Sequence, residues 1–255
     1  MNFFQAFIIS VVEGITEFLP ISSTGHLVLT SKILSVTQTD FVKTFEIAIQ
    51  SGAIASVIFL YGRKLLDNKE LLKKTMAAFI PTGILGFVLY KFVKNVLLGN
   101  VFVTLLSLAI GGLAIIILEK YFKHKDGGGD IKTLTYPSAI FIGLAQSLSM
   151  IPGVSRSAAT ILGAMGVGLN RQTAVEFSFI LAIPTMLAAT GYDLLKSFKD
   201  INSSNVLVLI FGFTVSFIVA LAAVKWFLNF VKKYSLTSFG VYRIVLSIIY
   251  FLLIK

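Results

Sequence analysis

The chain has 255 residues, of which 56% are hydrophobic and only 13% are charged. Its mean hydropathy is +0.89, whereas charged residues make up about a quarter of an ordinary soluble domain. This composition excludes a soluble enzyme and predicts one all-α polytopic membrane domain over residues 1–255. The net charge of +10 suits membrane lipids as partners, and we expect no nucleic-acid partner.

The absence of cysteine excludes disulfides, thiolate metal sites and cysteine nucleophiles. The first residues, MNFFQAFIIS, have no basic segment before the apolar stretch, so we expect no cleaved secretory signal. Any nucleophile must therefore be a hydroxyl, a carboxylate, an imidazole or water.

The first apolar segment, residues 1–34, is interrupted by LPISSTGH around Pro20, which predicts two short half-helices joined at a breaker. A second segment, residues 134–168, is interrupted in the same way by MIPGVSRSAAT around Pro152. Irregular backbone at membrane depth is tolerated only beside protein or a water-filled cavity, so the two segments predict a re-entrant binding site. Three full spans are predicted after each broken segment: 41–62, 75–94 and 101–120, then 172–195, 205–230 and 237–254.

This shared order predicts an internal repeat, with residues 1–123 as the first half and 134–255 as the second. Three residue pairs support the register, because each is separated by 132 positions. They are Pro20 and Pro152, Ser23 and Ser155, and Phe45 and Phe177. Three crossings separate the broken segments, so the two repeats are predicted to have inverted topologies.

The basic residues predict the orientation. If each broken segment enters and leaves on one side, thirteen basic residues collect on one side and seven on the other. The richer side is predicted to be cytoplasmic, so the first broken segment opens to the outside of the plasma membrane. The thirteen are Arg63, Lys64, Lys69, Lys73, Lys74, Lys120, Lys123, Lys125, Lys132, Arg171, Lys225, Lys232 and Lys233, and the seven are Lys32, Lys43, Lys91, Lys94, Lys196, Lys199 and Lys255.

Two acidic residues lie in the first broken segment. Glu13 and Glu17 are four positions apart and share a helix face, where two carboxylates can hold one ligand. Charges at membrane depth are costly, and a divalent cation with oxygen ligands, Mg²⁺ or Ca²⁺, would compensate them. The alternatives are that the pair lies in water at the interface or shares one proton.

The residues after Pro20 suit a phosphate site at the start of a helix. Ser23 is the predicted nucleophile, and His26, three residues later, is predicted to exchange protons with it or with water. Ser22, Thr24 and Gly25 are expected to bind substrate. The alternatives are plain helix capping for the hydroxyls and a packed polar core residue for the histidine.

The second interruption has an arginine where the first has acids. The planar guanidinium of Arg156 suits phosphate oxygens, and Gly153, Ser155 and Ser157 are expected to add close backbone approach and hydroxyl donors. The alternative is an internal ion pair of Arg156 with Glu13 or Glu17.

Three further polar residues lie within or near the predicted spans. Glu46, Gln50 and Glu176 either support the site from behind or are hydrogen-bonded packing residues. The run Gly127-Gly128-Gly129 lies in a polar loop and is not predicted to hold phosphate, and His124 beside it is expected to be solvated.

The motifs Glu13-Gly-Ile-Thr-Glu17-Phe-Leu-Pro-Ile-Ser-Ser-Thr-Gly-His26 and Pro152-Gly-Val-Ser-Arg156-Ser closely resemble the two signatures of the bacterial undecaprenyl-diphosphate phosphatase family, also called bacitracin-resistance proteins. Phe45-Glu-Ile-Ala-Ile-Gln50 and Glu176-Phe-Ser-Phe resemble its weaker motifs. Ala158 and Ser51 depart from the usual pattern without removing a functional group. The resemblance carries the family's acidic, serine, histidine and arginine positions onto Glu13, Glu17, Ser23, His26 and Arg156.

The resemblance implies removal of the terminal phosphate from undecaprenyl diphosphate at the outer face of the bacterial plasma membrane, which recycles the lipid carrier for peptidoglycan synthesis. Attack by Ser23 and direct attack by water both stay open, as does a homodimer. A rival function is transport of a lipid phosphate, because inverted repeats with broken helices are typical of transporters. A structural scaffold would leave several buried charges without a purpose.

Overall fold

A computed structural model describes residues 1–97, 100–122, 129–197 and 206–254. Gly127, Gly128 and His124, on which the loop predictions fall, lie outside these ranges. Within them the regular structure is helical. The α-helices are α1 (Phe3–Thr16), α2 (Ser23–Ile33), α3 (Asp40–Asp67), α4 (Lys69–Phe92), α5 (Val101–Phe122), α6 (Tyr136–Ser147), α7 (Arg156–Gly166), α8 (Arg171–Ser197), α9 (Val206–Lys233) and α10 (Thr237–Ile254).

The predicted polytopic membrane fold is confirmed. Over the described residues, α3, α4, α5, α8 and α9 are long and apolar enough to cross a bilayer, and they coincide with the first five predicted spans. The sixth, α10, is apolar but shorter than these. Large apolar side chains on the long helices lie outward, with Phe59 71% and Phe87 83% exposed, as expected where hydrocarbon covers the surface.

Each predicted broken segment forms two short helices, α1 and α2 in the first half and α6 and α7 in the second. We call residues 17–22 the first breaker turn and residues 148–155 the second. Ser22 and Ser155 end these turns with φ of 72° and 73° and cap the helices that follow. Ser22 accepts from the Gly25 N–H, and Ser155 accepts from the Ala158 N–H. The structural counterpart of Ser155 is therefore Ser22, and the predicted match of Ser155 with Ser23 is wrong by one position.

The packing follows the order of the two halves. Helix α1 packs on α9 while its counterpart α6 packs on α4, and α5 packs on α10. Exchanging the halves maps these contacts onto each other, as a two-fold repeat requires, and the inverted orientation stays a prediction. A buried apolar core that includes Phe18, Phe177, Phe179 and Phe227 joins α8 and α9 to the first breaker turn. The turns are therefore held between long helices rather than exposed as loops.

Candidate active site

The two breaker turns meet at a polar cavity of about 240 Å³. Helices α2 and α7 both begin at this cavity, so their unpaired N–H groups and positive dipole ends are close to it. Such a cavity is suited to a phosphate group. Its lining consists of Glu17, Ser22, Ser23, Thr24, Gln50, Ser149, Pro152, Gly153, Ser155, Arg156, Met186, Ala189 and Thr190.

The carboxylate of Glu17 joins the two turns. Its Oε2 accepts a hydrogen bond from the Ser23 hydroxyl at 2.5 Å, and its Oε1 lies 3.0 Å from Nη2 of Arg156. The ion pair that the sequence left as an alternative is therefore present, and it is largely buried, with the two side chains 10% and 7% exposed. Glu17 is the only carboxylate that lines the cavity among the described residues. It is placed to accept the proton of Ser23.

Arg156 is held from several sides. Its Nη1 donates to the carbonyl of Ser178 at 3.4 Å and its Nη2 lies 3.2 Å from Sδ of Met186, both on α8. The guanidinium carbon is 5.3 Å from the ring centroid of Phe18, a favourable arrangement for a cation. These contacts fix the positive charge beside the cavity before any ligand arrives.

Glu13 lies behind Glu17 and does not line the cavity. Its side chain is fully buried, and neither carboxylate oxygen receives a hydrogen bond. The charged groups that act on it are Glu17, Glu46 and Arg156. Because a buried carboxylate without donors is costly, Glu13 and Glu17 would either hold a cation or share one proton, as the sequence left open. The described residues contain no group of three or more acidic or histidine side chains that could hold a metal, so the remaining ligands would be hydroxyls, water or phosphate.

The imidazole of His26 forms its hydrogen bonds with Ser22 and Tyr242, and no hydrogen bond joins it to Ser23 in the structure. Its Nδ1 lies 2.8 Å from the carbonyl of Ser22 and its Nε2 lies 2.6 Å from the hydroxyl of Tyr242 on α10. A carbonyl only accepts, so Nδ1 donates, and in the neutral ring Nε2 accepts from the tyrosine. The stacked rings of His26 and Tyr242, 5.5 Å apart, hold the imidazole in this orientation. His26 therefore supports the first breaker turn in this structure, and its proton exchange with Ser23 or with water stays a prediction.

Two predicted substrate-binding residues lie outside the cavity lining. A Cβ at Gly25 would lie 3.3 Å from Leu108 of α5, so this glycine is a packing position. Ser157 is fully buried and donates to the carbonyl of Leu19 at 2.7 Å, which ties the second turn to the first. The other predicted contacts, Ser22, Thr24, Gly153 and Ser155, line the cavity.

The three residues expected behind the site have different surroundings in the structure. Gln50 lines the cavity itself, whereas it was expected behind the site. Glu46 accepts a hydrogen bond from Gln38 at 3.2 Å. Glu176 forms an ion pair with Lys64 and does not line the cavity, and its predicted supporting role stays a prediction.

Arg243 is the residue that sequence reasoning missed. It is fully buried, and its guanidinium connects both breaker turns to α5. An arginine inside the otherwise apolar span 237–254 was the available signal, because such a charge is expensive unless it has partners. It donates to five carbonyls, of Pro20 (3.2 Å) in the first turn, Gly153 (2.8 Å) and Val154 (2.9 Å) in the second, and Ser107 (3.2 Å) and Leu108 (3.3 Å) in α5.

Comparison with known proteins places the chain in a family. The family described as bacitracin resistance protein BacA matches residues 6–249. The chain is 53% identical to an undecaprenyl-diphosphatase of Aquifex aeolicus over 250 residues, with 98% of each chain covered. It is 48% identical to that of Persephonella marina over 255 residues, with 100% of each covered. It is 51% identical to that of a Sulfurihydrogenibium species over 253 residues, with 99% of each covered. The chain therefore belongs to the bacitracin resistance protein BacA family.

Proposed function

We propose that this chain is an integral membrane phosphatase that hydrolyses undecaprenyl diphosphate to undecaprenyl phosphate and inorganic phosphate. Similar relatives carry the name undecaprenyl-diphosphatase. The observation that carries the proposal is the position of Glu17, which contacts the Ser23 hydroxyl and the Arg156 guanidinium in one polar cavity. The reaction would recycle the lipid carrier for peptidoglycan synthesis and thereby confer bacitracin resistance.

The cavity suits the diphosphate head group. Arg156 supplies a fixed positive charge, and the starts of α2 and α7 supply N–H groups where negative charge develops on the terminal phosphoryl oxygens. An ion pair formed without substrate can exchange partners when phosphate arrives, because Arg156 already lines the cavity. Gln50 and Thr24 add polar contacts around the same space.

The geometry favours Ser23 as nucleophile. A bond forms between Ser23 Oγ and the terminal phosphorus, the bond from that phosphorus to the bridging oxygen breaks, and the lipid monophosphate leaves. Glu17 takes the serine proton. Water then releases phosphate from Ser23 and restores the hydroxyl. In the alternative route water attacks directly, and Ser23 only positions the phosphate.

A divalent cation, Mg²⁺ or Ca²⁺, is part of the proposal. Glu13 and Glu17 would hold it, because Glu13 has two buried oxygens without donors and these cations prefer oxygen ligands. When bound, the cation supplies positive charge that offsets the carboxylates and the phosphate oxygens. The protein's own part is to keep the two carboxylates one helical turn apart on α1 and its C-cap.

The membrane orientation belongs to the same proposal. The basic residues favour a cavity that opens to the outer side of the plasma membrane. A lipid diphosphate can then present its head to the cavity while its tail stays among apolar helices. The enzyme need not extract the tail from the bilayer, so head-group recognition suffices.

Phosphate release from a short, soluble prenyl diphosphate by the purified protein in detergent tests the function. The assay compares Mg²⁺, Ca²⁺ and chelator, and it compares Glu17→Gln with Glu70→Gln, the same exchange at an exposed position of α4. We expect metal-dependent release that Glu17→Gln lowers by about a hundredfold or more and Glu70→Gln leaves unchanged. Equal rates in both variants would remove Glu17 from the chemistry.

A further inference from the structure

A buried amide joins three helices near the polar cavity. Gln146 lies in the last turn of α6 and is fully buried. Its Nε2 donates to the Thr82 hydroxyl of α4 and to the Thr185 hydroxyl of α8, each at 3.0 Å. Both hydroxyls use their own protons elsewhere, because Thr82 donates to the carbonyl of Gly143 and Thr185 donates to that of Leu181. Each threonine can therefore only accept from Gln146, which fixes the orientation of the amide.

The two threonines follow prolines inside long helices. The tripeptide Ile-Pro-Thr occurs at residues 80–82 in α4 and again at residues 183–185 in α8. Each proline lacks the N–H that would complete a backbone hydrogen bond of its helix, so both helices are locally weaker at these points. The amide of Gln146 binds the residue after each proline. It therefore links α4 and α8 where they can bend most easily.

Packing alone does not account for a glutamine at position 146. Its Oε1 is buried and has no hydrogen-bond partner among the described residues. A leucine or methionine would fill a similar volume without burying polar atoms. The two hydrogen bonds that Nε2 donates are therefore what distinguishes Gln146 from an apolar packing residue.

The helices that Gln146 joins hold Arg156 from two directions. Helix α6 ends at Ser147, directly before the second breaker turn, and this turn leads to Arg156 at the start of α7. On α8, Met186 follows Thr185, and its Sδ lies 3.2 Å from Nη2 of Arg156. Gln146 thus connects the backbone that carries Arg156 with the helix segment that contacts its guanidinium.

We propose that Gln146 is a positioning residue that fixes the Arg156 guanidinium for phosphoryl transfer. This inference rests on the proposed function and adds to it a residue outside the cavity lining. Loss of the amide releases α8 at Thr185 and loosens the contact between Met186 and Arg156. Small displacements of a group from its productive geometry lower the rate strongly. The bond to Thr82 ties α6 to α4, a helix that supplies none of the Arg156 contacts described above.

Two matched variants remove the bonds of the amide one at a time. Thr185→Val and Thr82→Val each keep the shape of the side chain and remove one acceptor of Gln146. We expect Thr185→Val to lower kcat/KM about fivefold and Thr82→Val to leave it within about twofold, although both lower the midpoint of thermal unfolding in detergent. Equal losses of kcat/KM in the two variants would make the amide a packing element and overturn the proposal.

A double-mutant cycle of Gln146→Leu with Arg156→Lys tests whether the effect passes through the arginine. It is measured as kcat/KM and as the Kd of a methylene-bridged prenyl diphosphonate, which cannot be hydrolysed. We expect Gln146→Leu to weaken each quantity about tenfold in the unmodified protein and less than about twofold in Arg156→Lys. No loss, or the same loss in both backgrounds, would overturn the proposal. Coupling in Kd without phosphate release by the unmodified protein would retain the positioning role and reject the phosphatase.

Discussion

The Glu17 carboxylate has two oxygens and two different partners. One oxygen accepts from Ser23 and the other faces Arg156, so a change at any of the three residues alters the other two. Groups that act as one unit show strongly non-additive effects when they are removed. The double variant Glu17→Gln with Ser23→Ala should therefore lose little more activity than the more damaging of the two single variants.

Removal of the Ser23 hydroxyl distinguishes the two chemical routes. If the serine is the nucleophile, Ser23→Ala lowers kcat by about a thousandfold or more, and acid-quenched enzyme carries phosphate on Ser23. Direct water attack predicts a loss of about tenfold and no phosphoserine. Ser238→Ala, at an exposed serine of α10, is the control and should retain full activity.

The contact between His26 and Tyr242 predicts coupling between two distant residues. Tyr242→Phe removes the hydroxyl from Nε2 of His26 and should lower kcat several-fold. The double variant His26→Ala with Tyr242→Phe should be no worse than His26→Ala, because the tyrosine acts through the histidine. Additive losses in this double-mutant cycle would show that Tyr242 acts independently of the ring.

At the scale of elements, the breaker turns depend on Arg243. Hydrogen bonds to a charged donor contribute about 1.5–3 kcal/mol each, and the five carbonyls come from three separate segments. Lysine has the charge but lacks the planar fork that reaches all of them. Arg243 is thus a positioning residue that sets the distance between the starts of α2 and α7.

We predict that Arg243→Lys lowers kcat about tenfold or more while KM changes less, because the phosphate-binding groups remain but are misaligned. The midpoint of thermal unfolding in detergent should fall as well. Arg63→Lys, at a side chain that is 95% exposed, should change neither quantity. A normal kcat in a destabilised Arg243→Lys protein would make the residue purely structural.

The sequence predicted helices better than contacts. Apolar length identified α3, α4, α5, α8, α9 and α10, because the bilayer sets the length of a span. It placed the start of α4 at residue 75, whereas the helix starts at Lys69, since a helix continues into polar residues that hydropathy leaves out. Proline and serine likewise predicted both breaker turns.

The sequence predicted which residue types form the site, but it predicted only some of their contacts. The spacing of Ser23 and His26 is compatible with a shared helix face, yet the orientation of the imidazole is set by Tyr242, 216 positions away. The same holds for Gly25 and Ser157, which face α5 and the first breaker turn. Local spacing cannot reveal partners that only the packing of α5 and α10 provides.

For the whole molecule, orientation in the membrane is the largest open prediction, and the absence of cysteine makes it testable. Thr24 is exposed and lines the cavity, so Thr24→Cys in whole cells should react with a membrane-impermeant thiol reagent from outside. Asp67 is the last residue of α3 and lies on the predicted cytoplasmic side, so Asp67→Cys should react only after the membrane is permeabilised. The reverse pattern would overturn the orientation derived from the basic residues.

The halves of this fold suit a transporter as well as an enzyme, because broken helices that meet between repeats serve both. The arrangement of Glu17, Ser23 and Arg156 favours the enzyme. Binding a phosphate for transport needs cations and N–H groups more than it needs a carboxylate, so the carboxylate held against Ser23 favours the enzyme.

The most direct test of the central claim uses undecaprenyl diphosphate and the protein reconstituted in lipid vesicles. Inorganic phosphate and undecaprenyl phosphate are measured together, for the unmodified protein and for Glu17→Gln. We predict one phosphate for each lipid monophosphate formed, with about a hundredfold or greater loss in Glu17→Gln although the variant still binds the lipid. Binding without phosphate release by the unmodified protein would contradict the account and make lipid transport the better explanation of this cavity.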